Sequence, residues 1–168
     1  MIAAYHCRDN FRERMMKIYF CGSIAGGRKF EDVYGKIVDY LKAQAHQVLS
    51  EHIVRKDIFE YERQFTPQQI FQRDIEMLNQ ADRVIAEISN PSLGVGYEIC
   101  HALQRNMKVL CVYQNGLYVS RMITGNTMPG IRISSYRKFD DLIKIVDRFV
   151  TDDELLETDE IKPDVESG

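Results

Sequence analysis

No segment of this sequence is long and apolar enough to span a bilayer, and the first 17 residues, MIAAYHCRDNFRERMMK, lack the apolar centre of a secretory signal. No membrane partner is expected. The four cysteines, Cys7, Cys21, Cys100 and Cys111, form no CxxC pair and no toxin-like framework. That usage fits reduced thiols in an intracellular protein, cytoplasmic with the nucleus as a second location. His6, His46, His52 and His101 have no mutual metal-ligand spacing, and HExxH, GxSxG and GxGxxG are all missing. No metal and no cofactor are expected. Basic residues never cluster into a block, so nucleic acid is not an expected partner either.

What charge there is lies unevenly. Of a net −3, residues 151–168 (TDDELLETDEIKPDVESG) carry eight acids and one lysine, a net of −7, which leaves +4 on the first 150. Such an acidic, polar tail reads as disordered, and the mildly basic remainder suits a small anionic ligand. With 168 residues, 45% of them hydrophobic, there is material for one domain with a real core.

Apolar periodicity fixes the class. Strands are expected at KIYFCG (17–22), HQVLSEH (46–52), RVIAEIS (83–89), KVLCVYQ (108–114) and GIRISSY (130–136). Helices are expected at 29–44, 66–80, 95–106 and 138–150, with 53–65 ambiguous. At TPQQ, Thr66 is a candidate N-cap, Pro67 a first helical residue and Gln69 the completion of a capping box. Alternation of this kind predicts an α/β protein, a Rossmann-like five-stranded parallel sheet with helices on both faces. In such sheets ligands bind beyond the carboxyl ends of the strands, at the topological switch point.

Two glycine-bearing turns follow predicted strands. CGSIAGGRK (21–29) has the GxxxxG spacing of a P-loop from Gly22 to Gly27, but Arg28 and Lys29 stand where Lys and Ser/Thr are needed. Its amides and the helix behind it suit an anion, and a tight strand–helix turn with no ligand accounts for it equally well. In SNPSLGVGYE (89–98), Ser92 and nearby amides suit an anion. Glu98 is expected in the first helical turn, leaning back into the cleft and held ionised by the helix dipole, as a nucleophile requires. A dipole-stabilised glutamate with no chemistry fits the same position. Asp74 lies at helical spacing among apolar neighbours, and His52 follows the second predicted strand; a solvated acid and a structural histidine are the plainer accounts. Together, however, these residues put anion-friendly turns and two carboxylates at one sheet edge.

IYFCGSIAGGR (18–28), SEH (50–52), RDIEMLNQADRVIAEISNPSLGVGYEI (73–99) and SRMITG (120–125) resemble the 2'-deoxynucleoside 5'-monophosphate N-glycosidases of the nucleoside 2-deoxyribosyltransferase superfamily. The resemblance runs over residues 17–150, in order and with compatible spacing. An N-terminal extension (1–16), with Met15 or Met16 as alternative starts, and the tail (151–168) fall outside it. It implies a flavodoxin-like sheet and a homodimer with active sites completed across the interface. It further implies hydrolysis of deoxynucleoside 5'-monophosphates to free base and 2-deoxyribose 5-phosphate. Glu98 then matches the nucleophile, Asp74 the second catalytic carboxylate and Tyr19 a tyrosine assisting catalysis. Ser23 and Ser92 match phosphate ligands, with Gly22 and Gly94 allowing close approach and Ile24, Ala25, Gly26, Gly27 and Arg28 completing the substrate loop. His52 matches a residue near the base, and Ser120 and Met122 match positions supplied by the partner.

The chain departs from that pattern at Ala25, where the resembling turns commonly carry a phosphate-binding arginine. Weaker phosphate affinity, a looser phosphate requirement, and compensation by Arg28, Lys29 or Arg121 are the consequences open. Two other functions share these features: a nucleoside deoxyribosyltransferase, and a non-catalytic nucleotide-binding module.

Overall fold

A computed structural model describes residues 15–151; the expected N-terminal extension, up to residue 14, and the acidic tail beyond Thr151 lie outside them. Five parallel strands form one sheet in the order β2-β1-β3-β4-β5. They are β1 (Lys17–Cys21), β2 (Gln47–Val48), β3 (Arg83–Glu87), β4 (Lys108–Gln114) and β5 (Ile131–Tyr136). Six helices connect or cover them: α1 (Glu31–Ala43), α2 (Ile58–Glu62), α3 (Pro67–Gln80), α4 (Leu93–Gln104), α5 (Arg121–Thr124) and α6 (Phe139–Thr151). The chain runs outward from β1 to β2, then crosses back to β3. The switch point therefore lies between β1 and β3, and every loop leaving the carboxyl ends of these two strands opens onto it.

Strand alternation builds two cores. Ile18, Phe20 and Ile85 face α1 and α6, which bury Tyr34, Ile37, Val38, Leu41 and Leu142, Val146, Phe149. Tyr19, Cys21, Val84 and Ala86 face α3 and α4, which bury Leu78 and Val95, Ile99, Ala102, Leu103. All five residues of β3 are buried, as a central strand covered on both sides requires. The capping box that opens α3 is present: Thr66 Oγ1 accepts from the Gln69 amide at 3.2 Å, and the Gln69 side chain accepts from the Thr66 amide at 2.8 Å.

Four elements differ from expectation. The strand predicted at 46–52 pairs only through Gln47–Val48. Ser50 ends it, because its hydroxyl accepts from the Phe20 amide at 2.9 Å and donates to the Phe20 carbonyl at 2.6 Å, replacing the next ladder bonds; a 3₁₀ turn, Glu51–Val54, follows. The ambiguous stretch contains α2. The four residues of α5 carry too short an apolar pattern to be read in advance. Finally, α4 begins at Leu93, with Ser92 as N-cap. Glu98 is thus its sixth residue and belongs to the second turn.

Candidate active site

That shift places Glu98 correctly for contact with the sheet. It flanks the buried stripe of α4 between Val95 and Ile99, and it meets Tyr19, which points to the same side from β1. The Tyr19 hydroxyl donates to Glu98 Oε1 at 2.7 Å. The dipole does not decide the carboxylate's protonation. Burial pushes Glu98 up to about 7, opposed by the hydrogen bond from Tyr19, reinforced by the negative charge of Asp74, and opposed again by a hydrogen bond from Cys21. Beyond the first turn of a helix the dipole has faded, and desolvation wins. Burial and the neighbouring Glu98 also raise the Tyr19 phenol well above its usual range, so it stays a donor.

Asp74 enters from α3. Its Oδ1 accepts from Arg73 Nε at 2.8 Å and lies 3.6 Å from His52 Nε2. His52 sits on the 3₁₀ turn after β2. Tyr19 from the middle of β1, His52 from the 3₁₀ turn after β2, Asp74 from the middle of α3 and Glu98 from the second turn of α4 are therefore brought together. Two carboxylates in unequal environments, one desolvated and one paired with a guanidinium, form the pattern by which sites divide acid, base and nucleophilic roles.

The two glycine-bearing turns adjoin this cluster and grip each other. Asn90 Nδ2 donates to the carbonyls of Gly26 and Gly27, at 3.0 and 2.8 Å. A Cβ on Gly22 would lie 2.7 Å from the Tyr34 ring, and one on Gly26 would lie 2.3 Å from the Pro91 carbonyl oxygen and 2.6 Å from Ser23 Oγ; Gly27 has φ +114°. Gly22 thus makes room for the Tyr34 ring of α1, and Gly26 and Gly27 let the two turns touch. At Gly94 the nearest protein atom to such a Cβ is Ser92 Oγ at 3.8 Å, so that side of the turn is open. Ser92 Oγ accepts from the Val95 amide at 3.4 Å. Ser23 is fully buried; its amide donates to the Tyr34 hydroxyl at 3.0 Å, while its own hydroxyl has no partner. Ile24 packs on the α1 core and Ala25 is exposed.

Arg28, expected on the substrate, is committed elsewhere. Its Nε donates to Glu31 at 2.6 Å, and Nη1 and Nη2 donate to the carbonyls of Ile53 and Arg55 at 3.3 and 3.2 Å. It holds the 3₁₀ turn that carries His52. Ser120 and Met122 belong to α5 and its N-cap; Met122 is 84% exposed, and among the described residues no hydrogen bond or ion pair ties either to the Glu98 cluster. Sequence reasoning missed Asn90, Arg73 and Tyr34. Asn90 lay inside the quoted turn and Arg73 beside a chosen acid, but neither residue type signals a role without its partner. Among the described residues, no three His, Cys, Asp or Glu side chains converge as a metal-holding group.

Gly26→Ala should test the contact between the turns. Overpacking of this kind costs about 1–3 kcal/mol, and a displaced turn should raise KM for an anionic substrate about tenfold. Gly35→Ala, in α1 with nothing within 4 Å of the new methyl, should stabilise by up to about 1 kcal/mol with KM unchanged. Chemical denaturation and steady-state kinetics on both variants decide the matter; equal behaviour would remove the steric role of Gly26.

The sequence pattern of the nucleoside 2-deoxyribosyltransferase family matches residues 18–143. The chain belongs to that family. Among its relatives, the protein provisionally named 2'-deoxynucleoside 5'-phosphate N-hydrolase 1 of Methanococcoides burtonii is 39% identical over 118 residues, 70% of this chain and 97% of the relative. The 5-hydroxymethyl-dUMP N-hydrolase of Tetraodon nigroviridis is 42% identical over 114 residues, 66% of this chain and 80% of that one. A solved structure of Clostridium botulinum CMP N-glycosidase superposes with a TM-score of 0.59 at 16% identity, covering 79% of this chain and 98% of the other. At that identity the likeness shows the fold alone. The matched span of this deoxyribosyltransferase-family chain takes in both glycine-bearing turns, Asp74 and Glu98.

Proposed function

We propose that the chain hydrolyses the N-glycosidic bond of 2'-deoxynucleoside 5'-monophosphates, releasing the free base and 2-deoxyribose 5-phosphate. Relatives with N-hydrolase names at 39% and 42% identity support the reaction class. The observation that carries the reading to this chain is the convergence of Tyr19, Glu98 and Asp74 at the β1/β3 switch point, beside two turns built for an anion.

In this reading Tyr19 holds one oxygen of Glu98, and the Glu98 carboxylate attacks the anomeric carbon. The bond to the base breaks, its electron pair leaves with the base, and the base gains a proton. Water then attacks the glycosyl ester, a proton departs, and Glu98 is regenerated with the sugar phosphate released, as in retaining glycosidases. Without a 2'-hydroxyl, the oxocarbenium-like transition state is less destabilised. Asp74 is the second carboxylate, and Ser23 and Ser92 with the turn amides are the phosphate ligands. The orphaned Ser23 hydroxyl would gain a partner when phosphate arrives. Of the three residues that could make up for Ala25, Arg28 has its guanidinium already bonded, which leaves Lys29 and Arg121.

A homodimer completes the reading, with Ser120 and Met122 supplied across it. Phe71, Leu93, Tyr97, Tyr118 and Met122 are between 52% and 97% exposed, and the Phe71 and Tyr97 rings meet edge-on at 6.0 Å. So much exposed apolar surface around α3, α4 and α5 favours a second copy. Light scattering should return twice the chain mass.

The family name keeps sugar transfer as a second reading. Incubation with dGMP and free adenine separates the two. Guanine and 2-deoxyribose 5-phosphate are expected; accumulation of dAMP would make the protein a transferase, and binding of dGMP without release of guanine would make it a binding module. A panel of nucleoside monophosphates, followed by released base, then fixes the preferred base.

A further inference from the structure

Arg73 adjoins the site and has three acceptors around one guanidinium. Nε donates to Asp74 Oδ1 at 2.8 Å, while Nη2 lies 3.2 Å from His52 Nε2 and 3.9 Å from Glu62 Oε1. The group lies over two rings, 5.7 Å from the Tyr61 centroid and 5.6 Å from that of Phe65. Nη1 is buried with no partner. An unsatisfied buried donor is destabilising, so stability alone does not account for this placement.

An arginine only donates hydrogen bonds. A ring nitrogen that meets its N–H must accept. His52 Nε2 therefore bears no proton, the imidazole is neutral, and its proton sits on Nδ1. Asp74 Oδ1 is 3.6 Å from the same nitrogen, too far to reverse this by direct hydrogen bonding.

We infer that Arg73 is a positioning residue that locks His52 as a neutral Nδ1–H donor while it orients Asp74. The inference deepens the N-hydrolase reading, on which it rests for the identity of the ligand. Near the base, His52 then supplies a hydrogen bond to an acceptor atom of the leaving base and is not the source of its proton; that proton comes from another group or from water. The groups facing the ring agree with this. Burial pulls His52 down to about 4, Arg73 adds to the fall, Asp74 opposes it, and Arg55, stacked 4.6 Å from the Tyr61 ring, adds again. Glu62 and Tyr61 on α2 are the remaining titratable neighbours.

The test uses the full-length chain without substrate, with ¹⁵N-labelled histidine followed by NMR from pH 5 to 9. Wild-type His52 should show the Nδ1–H tautomer and no titration in that range. In Arg73→Met, Asp74 becomes the nearest charge, so the ring should titrate above pH 6. Arg73→Gln, whose amide still donates, should keep the tautomer. On dGMP, Arg73→Met should lose about tenfold to a hundredfold in kcat/KM and gain an ionisation in its pH profile, with Arg73→Gln recovering part of the loss. An Nε2–H tautomer in the wild type, or an unchanged His52 in Arg73→Met, overturns the inference; the wild-type spectrum suffices if the variants do not fold. Inactivity on every nucleotide would remove the N-hydrolase reading and leave the ring assignment standing.

Discussion

Glu98→Gln should lower turnover of dGMP at least about a thousandfold, roughly 4 kcal/mol of barrier, because in the proposed mechanism the glycosyl ester forms on the carboxylate and an amide cannot replace it. The same change should strengthen the fold. A carboxyl raised by burial to about 7 keeps its proton in the native state at pH values where the unfolded chain has lost it. Stability therefore falls as pH rises from about 4.5 to about 7, and the full cost of the buried charge is felt above that. Removing the charge should stabilise the protein at pH 8 by no more than about 3 kcal/mol, a gain that vanishes towards pH 4.5. The wild-type kcat/KM should fall towards acid with a midpoint near 7. Denaturant titrations of both proteins at pH 5 and pH 8, with kcat and kcat/KM followed against pH, read all three effects. A variant that is both active and no more stable would return Glu98 to a passive role at its helix.

The second large effect concerns the phosphate. Deoxyguanosine, which lacks it, should be cleaved on the order of a hundredfold or more slowly than dGMP in kcat/KM. Two hydrogen bonds to a charged group, from Ser23 and Ser92, are worth about 1.5–3 kcal/mol each. Ser23→Ala should slow dGMP and leave deoxyguanosine unchanged, since the hydroxyl has no protein partner to lose. Equal rates on the two wild-type substrates would strip both serines of the role and point to Ala25 as the reason. Arg28 cannot be recruited without releasing Glu31 and the carbonyls of Ile53 and Arg55, which leaves the amides, the hydroxyls and Lys29 to this turn.

Much of this was legible in the chain, and the reasons differ by element. The capping box at Thr66 and the apolar centre of β3, Val84–Ala86, are local signals, and both survive folding unchanged. Strand β2 was overdrawn because a side chain, Ser50, stands in for backbone pairing, a substitution that no periodicity reveals. The start of α4 was placed late because Leu-Gly-Val-Gly looks like turn; Ser92 as cap recruits those glycines into the helix. Moving that start by two residues replaced dipole with burial as the influence on Glu98. Candidate residues at strand ends could be read from position alone. Those that act through a partner, Asn90 on the Gly26 and Gly27 carbonyls and Arg73 on His52, become visible only when sequence neighbours 63 or 21 residues apart meet.

Tyr19 stands between Ile18 and Phe20, and only the parity of β1 sends its hydroxyl towards Glu98 while both neighbours enter the opposite core. The Tyr19–Glu98 contact is thus keyed to an even-odd count along one strand. Sliding β1 by a single residue against β3 would aim a phenyl ring or an isoleucine at the carboxylate and bury a phenol in grease. Any insertion or deletion tolerated in this strand must come in twos.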